Sequence, residues 1–144
     1  MSLETLFSLA SATAMVGWLA LVFLPGRAWV RQKFSALVIP GVLALGYLVL
    51  LALYMPGAEG GFDSLANVAR LFEEPALLLA GWVHYLAFDL FMGAWIAREG
   101  HRAGMPHLAL LPAFVLTFLA GPVGFLVFLA TRRIFSRQPM EALS

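Results

Sequence analysis

Cysteine is absent from this chain of 144 residues, and charged residues make up only 12% of it. Without cysteine there are no disulfides, thiolate metal sites, iron–sulfur clusters or thiol redox chemistry. Soluble domains carry about a quarter charged residues. A soluble chain of this size could not bury a sequence that is 62% hydrophobic. The composition therefore predicts an integral membrane protein, with the lipid bilayer as the solvent for much of its surface.

Long runs that are uncharged or nearly uncharged are what the sequence has in abundance. Each exceeds the ~20 residues that cross a bilayer as a helix, and backbone groups in lipid must satisfy their own hydrogen bonds. Pro75 suits the first turn of the third helix. We therefore predict an all-α integral membrane fold, a four-transmembrane-helix bundle that forms a single domain over residues 1–144. The runs are residues 5–26, 34–58, 75–97 and 105–131.

Residues 62–72, between the second and third runs, have the pattern of a short amphipathic helix. Asp63 or Ser64 could cap it, and its apolar residues would share one face. This pattern predicts an interfacial helix that lies over one mouth of the bundle. A structured loop without function fits the pattern equally well. The apolar residues are Phe62, Leu65, Ala66, Ala69 and Phe72.

The numbers of Lys and Arg on the two sides of the membrane differ too little to decide the orientation of the chain. With four crossings, the loops after helices one and three share a side and carry five of these residues. The other side carries four, namely Arg70 and three near the carboxyl terminus (Arg132, Arg133 and Arg137). The first helix favours a cytoplasmic location for the basic loop that follows it, whereas the basic tail argues for the opposite orientation. We follow the first helix and expect both termini to lie outside the cytoplasm.

Asp89 is the charged residue that lies deep within a predicted helix. A carboxylate at mid-bilayer costs ~2.5–3.5 kcal/mol on insertion scales, so such residues usually face the bundle interior and have a function. Tyr85 and Trp82 share its face, and Tyr85 can hydrogen-bond to it. His84 points about 140° away. We predict that His84 and Asp89 form two poles of one cavity, with Tyr85 between them. Alternatively, Asp89 and Tyr85 only hold helices together.

The rise per residue of a helix predicts which residues lie at the same depth as His84, Tyr85 and Asp89. Phe88 and Trp95 extend the His84 stripe and would form aromatic walls. Tyr47 of the second helix matches His84 in depth. Thr117 should lie near the level of Asp89, and Gly121 and Pro122 near His84. Pro122 frees the carbonyl of Phe118 as a hydrogen-bond acceptor. The residues that we expect to contact a ligand are Trp82, Phe88, Trp95, Tyr47, Thr117 and Pro122.

Several classes of function are excluded by the number and position of the histidines, lysines and acidic residues in the sequence. His84 and His107 differ by about 20 Å in depth, so they cannot share a haem iron. The single lysine, Lys33, lies outside the runs, which excludes a retinal-type Schiff base. One buried acid and one buried histidine are too few for a di-metal carboxylate site. No basic stripe or RNA-reading motif accompanies the net charge of +1. We expect no metal, no cofactor and no nucleic-acid partner.

Two stretches, residues 81–93 (GWVHYLAFDLFMG) and 116–124 (LTFLAGPVG), resemble one family. They are similar to the bacterial relatives of the plant neoxanthin-synthase proteins, the abscisic-acid-deficient type. The resemblance implies a location in a bacterial inner membrane or its equivalent. It also implies an isomerisation without redox cofactor, in which an epoxide opens to an allene and a tertiary alcohol. On this view Asp89 is the acid, His84 the base and Tyr85 the orienting group.

Other functions fit the same residues. The ligand implied by the resemblance is a hydrophobic polyene or terpenoid, which the aromatic walls suit. The protein could bind a carotenoid or lipid without reacting, or act as a small proton-coupled carrier or assembly subunit. Small residues such as Ala10, Ala14 and Gly17 could pack helices within one chain or between chains of a homo-oligomer.

Overall fold

The fold is known from a computed structural model, which describes residues 1–136. Arg137 and the rest of the carboxyl-terminal segment lie outside the described residues. Four helices are long and apolar enough to cross a membrane, and the predicted all-α membrane fold is confirmed. The second begins with a π-helical stretch, Val30–Val38, before Pro40. The helices are α1 (Leu3–Phe23), α2 (Val30–Gly57), α3 (Leu65–Leu71), α4 (Pro75–Arg102) and α5 (His107–Ser136).

Helix ends follow the local sequence signals. Pro75 opens α4 as predicted, and the Glu74 side chain accepts a hydrogen bond from the Ala76 amide. At the other end of α4, Gly104 has φ +69°, a conformation that glycine adopts at little cost. The Met105 amide then donates to the Gly100 carbonyl at 2.9 Å, which is the Schellman pattern. This tight turn sends α5 back into the bundle beside α4.

The central helix of the bundle is α4. Half of its most apolar stretch is buried, against a third or less in the other three long helices. Its glycine Gly93 receives the Trp18 ring, and its Leu90 packs on Gly17 of α1. The Gly17 carbonyl also accepts a hydrogen bond of 2.8 Å from the buried Ser35 hydroxyl of α2. Gly17, one of the small residues singled out in the sequence, therefore packs helices within the chain.

The short helix α3 is present, and Ser64 caps it by accepting a hydrogen bond from the Asn67 amide. Asp63 instead accepts from the Asn67 side chain at 2.9 Å, and this bond lowers the pKa of the exposed Asp63 carboxyl. Leu71 is buried, whereas the predicted apolar face, which includes Phe62 and Leu65, is exposed. The contact of this face with a membrane interface stays a prediction.

Helix α5 breaks at Ala120, whose φ of −152° and ψ of 57° are not helical. Before the break, Leu110 packs on Gly100 near the end of α4. After it, Arg132 lies 3.6 Å from Glu99, again near the end of α4. A straight helix would separate Leu110 and Arg132 by about 33 Å. Helix α5 is therefore a hairpin of two arms, residues 107–119 and 121–136.

The two arms of α5 touch closely at a glycine. A Cβ atom on Gly124 would collide with the backbone nitrogen of Thr117 and would lie 2.6 Å from the carbonyl oxygen of Ala113. The second arm also packs on α4, because the Trp95 ring lies 5.8 Å from Phe125 and 5.5 Å from Phe128. The end of α5 thus returns to the end of the bundle where α5 begins. The sequence-based placement of Arg132 and Arg133 beside Arg70 is corrected by this reversal, whereas Arg137 lies outside the described residues.

Candidate functional site

Tyr85 of α4 meets the break in α5. Its hydroxyl donates to the carbonyl oxygens of Phe118 and Leu119, at 3.2 and 3.1 Å. Pro122 has no amide hydrogen, so the Phe118 carbonyl loses its helical partner, as the sequence predicts. The non-helical Ala120 ends the first arm and leaves the neighbouring carbonyl free as well. Tyr85 therefore satisfies backbone groups that would otherwise be exposed to lipid.

Asp89 lies one turn further along α4, directly against Gly121. A Cβ atom on Gly121 would collide with the Asp89 oxygen Oδ1. The second carboxyl oxygen, Oδ2, is buried and has no hydrogen-bond partner within residues 1–136. The sequence predicted that Gly121 would lie near His84. The reversal of α5 at Asp89 corrects that expectation, since the first arm ends before it reaches the level of His84.

Thr117 is fully buried at the hairpin, as a residue of the first arm. Its hydroxyl also lacks a hydrogen-bond partner among the described residues, and it lies against Gly124 of the second arm. It faces the crossing of the two arms. Because the Thr117 side chain is buried, a ligand could not reach it in this structure, and its predicted role as a ligand contact is not supported.

Trp82 is held by residues of α1 that the sequence did not single out. Its indole nitrogen donates to the Ser11 hydroxyl at 3.1 Å, and its ring lies 5.5 Å from the Phe7 ring. On the other side it stacks on Tyr85, with ring centroids 5.4 Å apart and planes at 26°. The sequence feature that could have pointed to Ser11 is its polar side chain within an apolar helix. Its partner became visible only in the packed structure.

Beyond the tip of the α5 hairpin, toward the end of the bundle where α1 and α4 begin, lies an apolar groove of about 650 Å³ that is open along one side. We refer to it as the groove above the hairpin tip. It lies between α1 and the first half of α4. No part of α5 lines it, because that helix turns back at the level of Asp89. Tyr85 is the deepest α4 residue of the groove, about 15 Å from Pro75 by helix rise. The lining includes Leu3, Phe7, Phe72, Leu78, Trp82 and Tyr85.

The sequence matches the family model described as ABA DEFICIENT 4-like over residues 5–128. This protein belongs to the ABA DEFICIENT 4-like family. The match covers Tyr85, Asp89 and the α5 break, and it confirms the resemblance drawn from residues 81–93 and 116–124. Membership relates the protein to neoxanthin-synthase-like proteins. Searches of curated proteins and of solved structures found no match.

His84 of this ABA DEFICIENT 4-like protein lies on a different flank of α4, about 100° from Tyr85. It is exposed, and its ring lies 5.5 Å from Tyr47 and 4.9 Å from Phe88. The predicted match in depth between Tyr47 and His84 is confirmed. However, His84 does not line the groove that Tyr85 closes. The predicted single cavity with His84 and Asp89 as its two poles is therefore corrected.

Trp95 lies ten residues beyond Tyr85 on α4, about 15 Å away by helix rise. Its contacts with Phe125 and Phe128 belong to the second arm of the ABA DEFICIENT 4-like hairpin. Trp95 therefore attaches that arm to α4. Phe88 is exposed beside His84. Neither of the predicted aromatic walls, Phe88 and Trp95, lines the groove above the hairpin tip, whereas Trp82, a predicted ligand contact, does.

Replacing Tyr85 by phenylalanine tests the bond between α4 and the α5 break. The variant leaves the carbonyls of Phe118 and Leu119 without the phenol, so we expect the free energy of unfolding to fall by about 1–2 kcal/mol. The measurement is unfolding in mixed micelles, followed by circular dichroism. Tyr47→Phe is the matched control, since its ring contacts His84, and we expect it to change stability by under about 0.5 kcal/mol. Equal losses in both variants would contradict the assignment.

Proposed function

We propose that this protein is a membrane-embedded isomerase of a carotenoid-like epoxide, in the manner that its family membership suggests. One observation carries the proposal. An apolar groove that is open along one side ends at a phenol, Tyr85, with a carboxyl group, Asp89, one turn deeper. An elongated polyene could enter from the membrane and direct its oxygenated end group at these two residues.

The proposed reaction needs one proton delivered and one removed. The Asp89 carboxyl group donates its proton to the epoxide oxygen, and the carbon–oxygen bond breaks to give a tertiary alcohol. The Asp89 carboxylate then takes a proton from the neighbouring polyene carbon, and the electrons of that carbon–hydrogen bond form the allene. The acid is restored and no redox partner is consumed. The Tyr85 ring positions the end group beside Asp89, while its hydroxyl stays hydrogen-bonded to the carbonyls of Phe118 and Leu119.

This assignment gives both proton transfers to Asp89. His84 was the base expected from the sequence, but its ring lies beside Tyr47 and Phe88, on a flank that the groove does not include. The unpartnered oxygen Oδ2 of Asp89 supports the choice, since a buried carboxyl oxygen without a hydrogen bond is costly, and a catalytic role is one reason for a protein to keep such a group.

A second candidate is a carotenoid- or lipid-binding protein that performs no chemistry. The observation in its favour is that Tyr85, and not Asp89, lines the groove. In that case Asp89 would only support the contact between α4 and the α5 break. Both candidates share the groove and the class of ligand, so product analysis separates them.

The test is the pigment profile of a host that makes epoxycarotenoids, with and without this chain. For the isomerase, we expect a new pigment of unchanged mass that carries the allene absorption and infrared signature, while the epoxide decreases. A coloured purified protein with an unchanged pigment profile would favour the binding protein. A colourless protein and an unchanged profile would reject both candidates.

A further inference from the structure

Charge is divided unequally between the two ends of this bundle once α5 is seen to turn back. The basic end is where α1 finishes, α2 begins, α4 finishes and both arms of α5 have their outer ends. Among residues 1–136 it carries seven Lys or Arg and one acid, Glu99. These cations are Arg27, Arg31, Lys33, Arg98, Arg102, Arg132 and Arg133.

The opposite, acidic end holds the start of α1 and the connection from α2 to α4. It carries Arg70 together with five acids. Four continuous crossings would have divided the cations almost evenly, with the carboxyl-terminal arginines beside Arg70. The contact between Arg132 and Glu99 moves Arg132 and its neighbour Arg133 to the basic end. The five acids are Glu4, Glu59, Asp63, Glu73 and Glu74.

Much of the positive charge of the basic end is not neutralised within the described chain. Glu99 pairs with Arg102 and Arg132. The Arg31 and Arg98 guanidinium groups donate to the backbone carbonyls of Pro25 and Arg31, each at 3.0 Å. Such bonds order the side chains but leave their charges uncompensated. A set of oriented cations at the ends of membrane helices fits phosphate groups at headgroup depth.

A groove on the second arm of α5 adds an apolar surface to these cations. Leu129 and Ala130 line it together with Arg132 and Arg133, and its volume is about 490 Å³. Leu129 and Ala130 could contact an acyl chain, while the arginines face its headgroup. Such a combination suits an anionic phospholipid better than a soluble polyanion, which has no apolar part.

We propose that the basic end is the cytoplasmic face and that it binds the headgroups of anionic phospholipids. The amino terminus then lies outside the cytoplasm and the end of α5 lies inside it. This inference rests on the charges and on the hairpin of α5, and it is independent of the proposed isomerase function. It replaces the expectation that Arg132 and Arg133 lie on the same side as the amino terminus.

Single-cysteine variants test the orientation, because the chain contains no cysteine of its own. Glu59→Cys marks the acidic end, Gln32→Cys the basic end and Ser136→Cys the end of α5. With a membrane-impermeant maleimide on intact cells, we expect labelling at position 59 alone. In inverted vesicles we expect labelling at positions 32 and 136. Labelling of 136 together with 59, or of 32 on intact cells, would overturn the orientation.

The lipids that stay bound to the purified protein test whether the basic end binds anionic phospholipids. The purified protein is mixed with phosphatidylglycerol and phosphatidylcholine in equal amounts, and native mass spectrometry counts bound lipids. We expect a preference for phosphatidylglycerol that falls roughly fivefold for each arginine removed in Arg132→Gln and Arg133→Gln. Arg70→Gln, at the acidic end, is the control that keeps the preference. Equal retention of the two lipids, or displacement of the lipid by an equal concentration of inorganic phosphate, would overturn the lipid assignment.

Discussion

Asp89→Asn is expected to abolish the proposed conversion in membranes supplied with an epoxycarotenoid. Asparagine matches aspartate in size and keeps the contact with Gly121, but an amide cannot deliver the proton that opens the epoxide. General acid–base catalysis by one group typically contributes 10²–10⁴-fold. Loss of both proton transfers should therefore lower the rate by at least about 10²-fold. Product formation, measured by chromatography of extracted pigments, is the readout.

One further variant makes this result specific. His84→Gln changes a side chain outside the groove, and we expect it to retain most of the activity. An equal loss in His84→Gln would return the role of base to the histidine. Undiminished turnover in Asp89→Asn would remove Asp89 from the chemistry. Pigment bound to each purified variant shows whether the groove above Tyr85 remains intact.

Gly124→Ala should have the largest effect on stability. The added methyl group would collide with the backbone nitrogen of Thr117 and lie 2.6 Å from the carbonyl oxygen of Ala113. Backbone atoms cannot rotate away as a side chain can. Overpacking of this kind typically costs 1–3 kcal/mol, and we expect a loss of about 3 kcal/mol in the free energy of unfolding, measured in mixed micelles.

Gly46→Ala is the matched control for this prediction. Gly46 lies within α2, and a Cβ atom there would meet nothing within 4 Å. Alanine is a better helix former than glycine, so we expect this variant to gain about 0.5–1 kcal/mol. Similar stability in the two variants would show that the arms of α5 do not cross at Gly124.

The break in α5 could be recognised in the sequence, but the direction of the chain after it could not. Pro122 must leave the Phe118 carbonyl without its helical partner, and that consequence follows from the chemistry of proline alone. An apolar run of 27 residues, 105–131, has the same composition whether it crosses the membrane or turns back within it. The reversal depends on the contact of Gly124 with Ala113 and of Trp95 with Phe128.

Depth along the membrane was predicted correctly for Tyr47 and His84, which lie in unbroken helices, but not for Gly121, which lies at the break in α5. Tyr47 and His84 were matched by helix rise, and their rings are in contact. Rise is additive along a helix, so depth can be counted from the ends of a run. Whether a given flank of α4 is covered depends on where the other helices lie. His84 therefore lies on an exposed flank, whereas Tyr85, the next residue, lines the groove.

The sequence by itself determined that this is an all-α membrane protein, that Pro75 opens the third long helix, and that Asp89 and Tyr85 share a face of that helix. These features depend on composition, helix periodicity and local capping, which act over a few residues. Only the tertiary structure decided that α5 turns back, that a groove remains beyond its tip and that, among residues 1–136, seven cations lie at one end. Those features depend on contacts between residues far apart in the chain, such as Arg132 with Glu99 and Trp82 with Ser11.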